Sequence, residues 1–296
     1  MDVPMRASAH IYLVACIFLT ATAPSYAGCN AYVDQNEPDK IKFSDPDNSK
    51  TIDGYIACLS AADPIIRDEY AYMELSRKLR NDPPDSSKMK AIYLDAVNDF
   101  RQTDITAYHR SFLTLALSEI ARVDRFTPFL SEKDRQFLVD TSVSLLTQST
   151  DLTGFDPDIG YVHQIAHAAD LVLQLSLNKA IDSKQLRLLS QATKAAINPD
   201  TLHFYHYGEP DRLVRASVYL MVREELDEAY WQEWLNDFEK YNKAPWNKAY
   251  QTNEGLAALH NTQNYLNRLL LWSYNAKNER LTKIHDLTLV LLKKVR

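Results

Sequence analysis

The sequence predicts an all-α protein of stacked helical hairpins around a polar central cleft, arranged as an α/α superhelix or an α/α toroid. Three observations carry this reading. Only six of the 296 residues are glycine, too few for a chain of many tight turns and strands. No stretch keeps the alternating polarity of a half-buried strand for long, whereas apolar residues recur at helical spacing from residue 51 onward. Several of these runs also invert the usual amphipathic pattern, with a sparse polar stripe on an apolar cylinder. A helix of that kind is buried and turns its one polar face to a cleft or to a partner stripe.

With 46% hydrophobic and 24% charged residues, the chain can bury a large core. Its formal net charge is −6, and no concentrated run of Lys or Arg provides the basic face that phosphate backbones require, which argues against nucleic acid as the main partner.

Taken in order, residues 1–27 have the pattern of a signal peptide. Arg6 gives a positive start, Ile11 to Leu19 an apolar centre, and Ser25 and Ala27 the small residues before a cleavage site. The apolar centre falls short of the ~20 residues that span a bilayer. Cleavage between Ala27 and Gly28 is expected, leaving a periplasmic or secreted protein with no stable membrane span. Cys16 leaves with the signal, and the remaining Cys29 and Cys58 are expected to pair in an oxidising compartment. Residues 28–50 read as an irregular N-terminal arm and 51–296 as one all-helical domain.

Within that domain the periodicity predicts helices over 52–62, 64–80, 86–101, 104–123, 131–148, 160–178, 183–197, 211–224, 228–242, 254–275 and 278–294. Start signals mark several of them. Asp63-Pro64 is a cap followed by a first-turn proline, Ser131 stands three residues before Asp134, and Asp182-Ser183 precedes an apolar run.

The stretch 160–178 is the focus. Read at about 100° per residue, it gathers His163, His167, Asp170 and Gln174 into an arc of roughly 60°. The predicted helix 254–275 repeats the spacing with His260, Asn264 and Asn267. Arg110 on 104–123 and Arg212 on 211–224 add further polar positions facing inward.

Three chemistries suit this constellation. His163 and His167, one turn apart, fit a divalent metal such as zinc, with a third ligand from Asp156, Asp158, Glu209 or His260. Gln164, however, stands where the two-His zinc protease motif has its Glu. Without metal, neutral imidazoles near a helix N-terminus, combined with Asp170, Asp158 or Glu209, fit an acid–base hydrolase acting on a glycan or peptide. In the third reading the stripes satisfy one another as a buried hydrogen-bond network, with Arg110 and Arg212 neutralising carboxylates. That leaves a cleft, bordered also by Asp156, Tyr161, His260 and Asn264, that binds a small molecule, glycan or peptide. This binding reading leads. The sequence holds no Gly-rich phosphate loop and no serine in a nucleophile elbow.

Several motifs, in order, resemble one bacterial family, domain of unknown function 2785. They are Arg110-Ser111-Phe112, Asp151-Leu152-Thr153-Gly154, Gly160-Tyr161-Val162-His163, Ala166-His167-Ala168-Ala169-Asp170-Leu171, Gly208-Glu209-Pro210-Asp211-Arg212-Leu213 and Asn261-Thr262-Gln263-Asn264-Tyr265-Leu266. The resemblance covers about residues 85–275. Thr153 departs from it, standing where the family usually has Arg. The resemblance implies an all-helical domain and carries over no activity and no catalytic residues.

Overall fold

The computed structural model describes residues 48–240 and 245–296. The signal peptide expected over residues 1–27, the cleavage expected between Ala27 and Gly28, and Cys29 lie outside these residues. Cys58, the expected partner of Cys29, is fully buried.

The described chain is all-α apart from one two-stranded ladder. We number the helices α1 (Asn48–Cys58), α2 (Met73–Asn81), α3 (Ser86–Phe100), α4 (Ala107–Phe126), α5 (Glu132–Gln148), α6 (Gln164–Ser176), α7 (Ser183–Ile197), α8 (Glu209–Met221), α9 (Glu228–Asn236), α10 (Asn253–Ser273) and α11 (Glu279–Leu292). A π-helical stretch, Ile65–Tyr72, runs directly into α2. Strands β1 (Phe155–Asp156) and β2 (Gly160–Tyr161) pair antiparallel between α5 and α6.

Side-chain caps start most of these helices, as the sequence signals require. Asp85 accepts from the Ser87 and Lys88 amides, Thr106 from His109, Asp227 from Tyr230, Thr252 from Gly255 and Asn278 from Leu281. Ser131 with Asp134 and Asp182 with Gln185 form reciprocal capping boxes that satisfy two orphan amide groups each.

The even-numbered helices pack in sequence, α2 on α4, α4 on α6, α6 on α8 and α8 on α10. The odd-numbered helices cover them, with α5 against α7 and α9 against α11. This double row accounts for the inverted amphipathicity. Every residue of α6 is buried except Gln174, because α4, α5 and α8 all pack on it. On α5, by contrast, one side of the helix stays polar and outward. At the C-terminal end, Trp231, Trp234, Phe238 and Tyr265 form one chain of ring contacts closing the core.

Ion pairs with a buried carboxylate and a partly exposed arginine tie the inner row together. Arg80 of α2 pairs with Glu119 of α4, and Arg212 of α8 with Asp170 of α6. Asp124 of α4 holds Arg135 at 2.7 Å and accepts the Phe129 and Leu130 amides at 2.9 and 2.8 Å, which fixes the α4–α5 turn.

Several boundaries differ from the sequence reading: the helices expected over 104–123, 211–224 and 228–242 run over Ala107–Phe126, Glu209–Met221 and Glu228–Asn236, and three further differences shape the structure. α1 opens at Asn48, inside the stretch expected to be irregular. The helix expected over 64–80 begins as a π-helix. The helix expected from residue 160 begins at Gln164, because Gly160 and Tyr161 are held in the ladder. No helix among the described residues is long and apolar enough to cross a membrane.

Candidate functional site

A pocket of about 770 Å³ opens between the π-helical stretch, α4, the β2–α6 junction and the start of α8. Its polar lining comes from Asp68, Glu69, His163, His167, Asp211 and Arg212, and its walls include Tyr72, Met73, Phe112, Leu115, Tyr161 and Tyr207.

The β-ladder loop is locked onto the π-helical stretch by one residue. Arg67 is fully buried, and its Nη2 donates to the Ile159 carbonyl at 2.7 Å while Nε donates to Asp68 at 2.7 Å. Its guanidinium lies 4.7 Å from the Phe112 ring centre, a cation–π contact that further offsets its desolvation. Gly160 permits this approach. Its φ is +75°, and a Cβ there would sit 2.9 Å from Pro64 Cβ and 3.3 Å from Arg67 Nη2.

The ladder ends by forcing His163 into the left-handed region, at φ 52° and ψ 31°, a conformation uncommon for any residue other than glycine. His163 therefore stands before α6 as its N-cap and does not belong to the helical stripe assigned to it from spacing. Its ring stacks on Tyr161 with centres 4.5 Å apart, and Nε2 lies 2.9 Å from the Tyr207 carbonyl. A carbonyl only accepts, so Nε2 carries the proton and Nδ1 is the acceptor. Burial depresses the pKa of this imidazole.

His167 occupies the first turn of α6 and is 6% exposed. Its Nδ1 meets the Ser111 carbonyl at 3.1 Å and the Ser111 hydroxyl at 2.8 Å. The carbonyl again assigns the proton to Nδ1, leaving Nε2 as an acceptor with no protein partner among the described residues. Burial, with His163 and Arg212 nearby, pushes its pKa down to about 3.

Asp170, one turn further, lies beneath the pocket and pairs with Arg212. Burial raises its pKa, and Arg212 counters part of that rise. Next to it, Tyr72 shares Glu119 with Arg80, and burial followed by the Glu119 charge raises the Tyr72 pKa.

The structure thus brings together Tyr161, His163, His167 and Arg212, with Asp170 directly behind. The other expected residues stand elsewhere. Asp156 accepts the Asp158 and Ile159 amides at 2.9 and 3.1 Å, an Asx turn that shapes the ladder, and Asp158 is exposed on that turn. Glu209 is 1% exposed behind Gly154 and accepts the Tyr207 amide at 2.9 Å, so it orients the loop carrying Tyr207. His260 Nε2 accepts from the Asn264 Nδ2–H at 2.9 Å and stands 3.2 Å from the Tyr205 carbonyl, beside the loop before α8. Among the described residues Arg110 pairs with no carboxylate; it donates to the Phe100 and Gln102 carbonyls at 2.8 Å each and caps α3. The single network expected across all the stripes is therefore several local ones.

For a metal, each histidine has one nitrogen committed to a carbonyl, and the two rings stand at 82° with centres 6.0 Å apart. Among the described residues no three His, Cys, Asp or Glu side chains gather as a ligand set.

Spacing did not point to Asp68, Glu69, Tyr72 or Tyr207. The first three are polar positions that a regular helix would explain as surface. Their signal is the π-helix, which no residue pattern announced.

No curated protein and no solved structure matches the chain. A family model does match, over residues 98–271, more than half of the chain. That span runs from the end of α3 to the last turn of α10 and contains every pocket residue except those of the π-helical stretch and α2. The chain belongs to the family described as protein of unknown function (DUF2785).

Proposed function

We propose that the protein binds a small organic molecule in the pocket beside His163 and His167. The observation that carries this reading is the convergence of two irregular backbone features on one pocket. The π-helical stretch supplies Asp68, Glu69 and Tyr72, and His163 is one of the two left-handed non-glycine residues among those described, the other, Asn275, standing outside the pocket. π-helical turns concentrate at functional sites, and left-handed non-glycine residues persist only where surrounding structure over-determines them. A pocket of this size with apolar walls and few polar groups has the character of a ligand site.

A hydrolase is the rival reading, favoured by the unpartnered Nε2 of His167. Its weakness is basicity. A general base works best with a pKa near the operating pH, and His167 at about 3 is a poor proton acceptor at neutral pH. It suits a hydrogen-bond acceptor better. A metal-dependent version needs a ligand beyond the two histidines, and elemental analysis of protein purified without chelator decides it.

We also propose export, on the strength of the sequence pattern over residues 1–27, and a Cys29–Cys58 disulfide in the exported form. N-terminal sequencing of protein recovered outside the cytoplasm, together with a thiol count, tests both.

Binding is tested by a thermal-shift screen of metabolite-sized compounds on the wild type and on Met73→Trp. Met73 lines the pocket and is 58% exposed, so the larger ring obstructs the site without disturbing the core. A ligand at 100 times its Kd stabilises by about 2.7 kcal/mol, and that shift is expected to vanish in the variant. Hits that stabilise both proteins equally, or no hits at all, would sink the proposal.

A further inference from the structure

The charges and hydrogen-bonding groups of the pocket indicate what kind of molecule it takes. Three of the acids near it have cationic partners: Asp68 with Arg67, Asp170 with Arg212 and Glu119 with Arg80. Glu69 and Asp211 line the pocket and form no ion pair among the described residues. Among the described residues the Asp211 carboxylate accepts only the Trp272 indole N–H, at 3.3 Å. The sole basic side chain in the lining, Arg212, is already held by Asp170.

The imidazoles act in the same sense. Both have their proton directed to a backbone carbonyl, so both are left with an acceptor nitrogen. His167, more than nine-tenths buried, lines the pocket, and its Nε2 has no partner among the described residues. The pocket lining also includes the rings of Tyr72, Phe112, Tyr161 and Tyr207. Aromatic rings attract a cation through their negative faces, and an N–H-bearing cation satisfies both kinds of group.

We infer that the ligand of this pocket is an organic amine in its ammonium form, its nitrogen directed to Glu69, Asp211 and His167 Nε2 and its apolar body held by the aromatic walls. The inference rests on the pocket being a ligand site, as proposed above.

Three probes of nearly equal size separate charge from shape: phenethylamine, phenethyl alcohol and phenylacetate. Isothermal titration into the full mature chain should show the amine binding at least about tenfold tighter than the other two, a difference of about 1.4 kcal/mol. In Glu69→Gln/Asp211→Asn, both changes at the pocket rim, the preference for the amine should fall to about threefold or less. Equal or tighter binding of the alcohol or the acid overturns the cation inference and leaves the pocket reading standing. An amine preference unchanged in the double variant overturns the assignment to the two acids. Failure of all three probes at millimolar concentration overturns both readings.

Discussion

The left-handed conformation of His163 makes a prediction that can be worked through from the backbone. An L-residue in this region is disfavoured by about 1–2 kcal/mol, and glycine escapes that cost. His163→Ala removes the hydrogen bond to the Tyr207 carbonyl and the stacking on Tyr161 and keeps the strained backbone. His163→Gly removes the same contacts and relaxes the backbone. Glycine also gains unfolded-state entropy and caps helices better than alanine, so a control is needed. Thr106 provides one, since it caps α4 from an ordinary extended conformation at φ −66°. Both side effects recur at Thr106, while the left-handed term does not. The stability advantage of Gly over Ala should therefore be larger at 163 than at 106 by about 1–2 kcal/mol. In a chain of this size that is a few degrees in Tm, and urea midpoints measured with unchanged m-values resolve it. An excess of zero, or an advantage for alanine, would refute the claim that the ladder forces this residue into a strained entry to α6.

Other consequences follow from the same geometry. His167 holds its pKa at about 3 in the fold against an ordinary value of 6.5, so between those values the unfolded chain binds more protons and stability falls as pH drops; His167→Asn, which cannot titrate, should lose less stability between pH 7 and pH 4, and an unchanged slope would contradict the assignment. Arg212→Gln strands the Asp170 carboxylate and should cost about 2 kcal/mol, less than a fully enclosed pair because Arg212 is partly exposed. Adding Asp170→Asn should restore most of that loss in chemical denaturation, and a purely additive double variant would count against the pair. Gly160→Ala meets both a left-handed φ and Pro64 at 2.9 Å and should destabilise by about 1–3 kcal/mol, with proteolysis beginning near the ladder.

The sequence carried the helical architecture because its signals are local. The Asp182–Gln185 and Ser131–Asp134 boxes fix starts within a few residues, and the apolar circumference of α6 reports burial by its neighbours. The site was legible to the extent that it is helical: His167 and the α8 residue Arg212 line the pocket, while Asp170, expected in the lining, sits behind it paired with Arg212. His163 was misassigned to the stripe because the two-residue ladder that detaches it leaves no periodic trace. The π-helix differs from an α-helix by less than a residue per turn, and over Ile65–Tyr72 the apolar pattern fits either. Helical spacing also fixes a face and not the neighbour opposite it. That is why His260, Asn264 and Arg110 were expected in the cleft, whereas Asn264 bonds to His260, His260 stands against the Tyr205 carbonyl and Arg110 donates to the Phe100 carbonyl.

The central claim is that the pocket between the π-helical stretch and His163 is where this protein meets its ligand. The most direct measurement is a crystallographic fragment soak of the protein. Bound fragments should cluster between Phe112, Tyr161 and Tyr207, with an N–H donor within about 3 Å of His167 Nε2. Fragments bound repeatedly elsewhere on the surface, with this pocket empty in every soak, would contradict it.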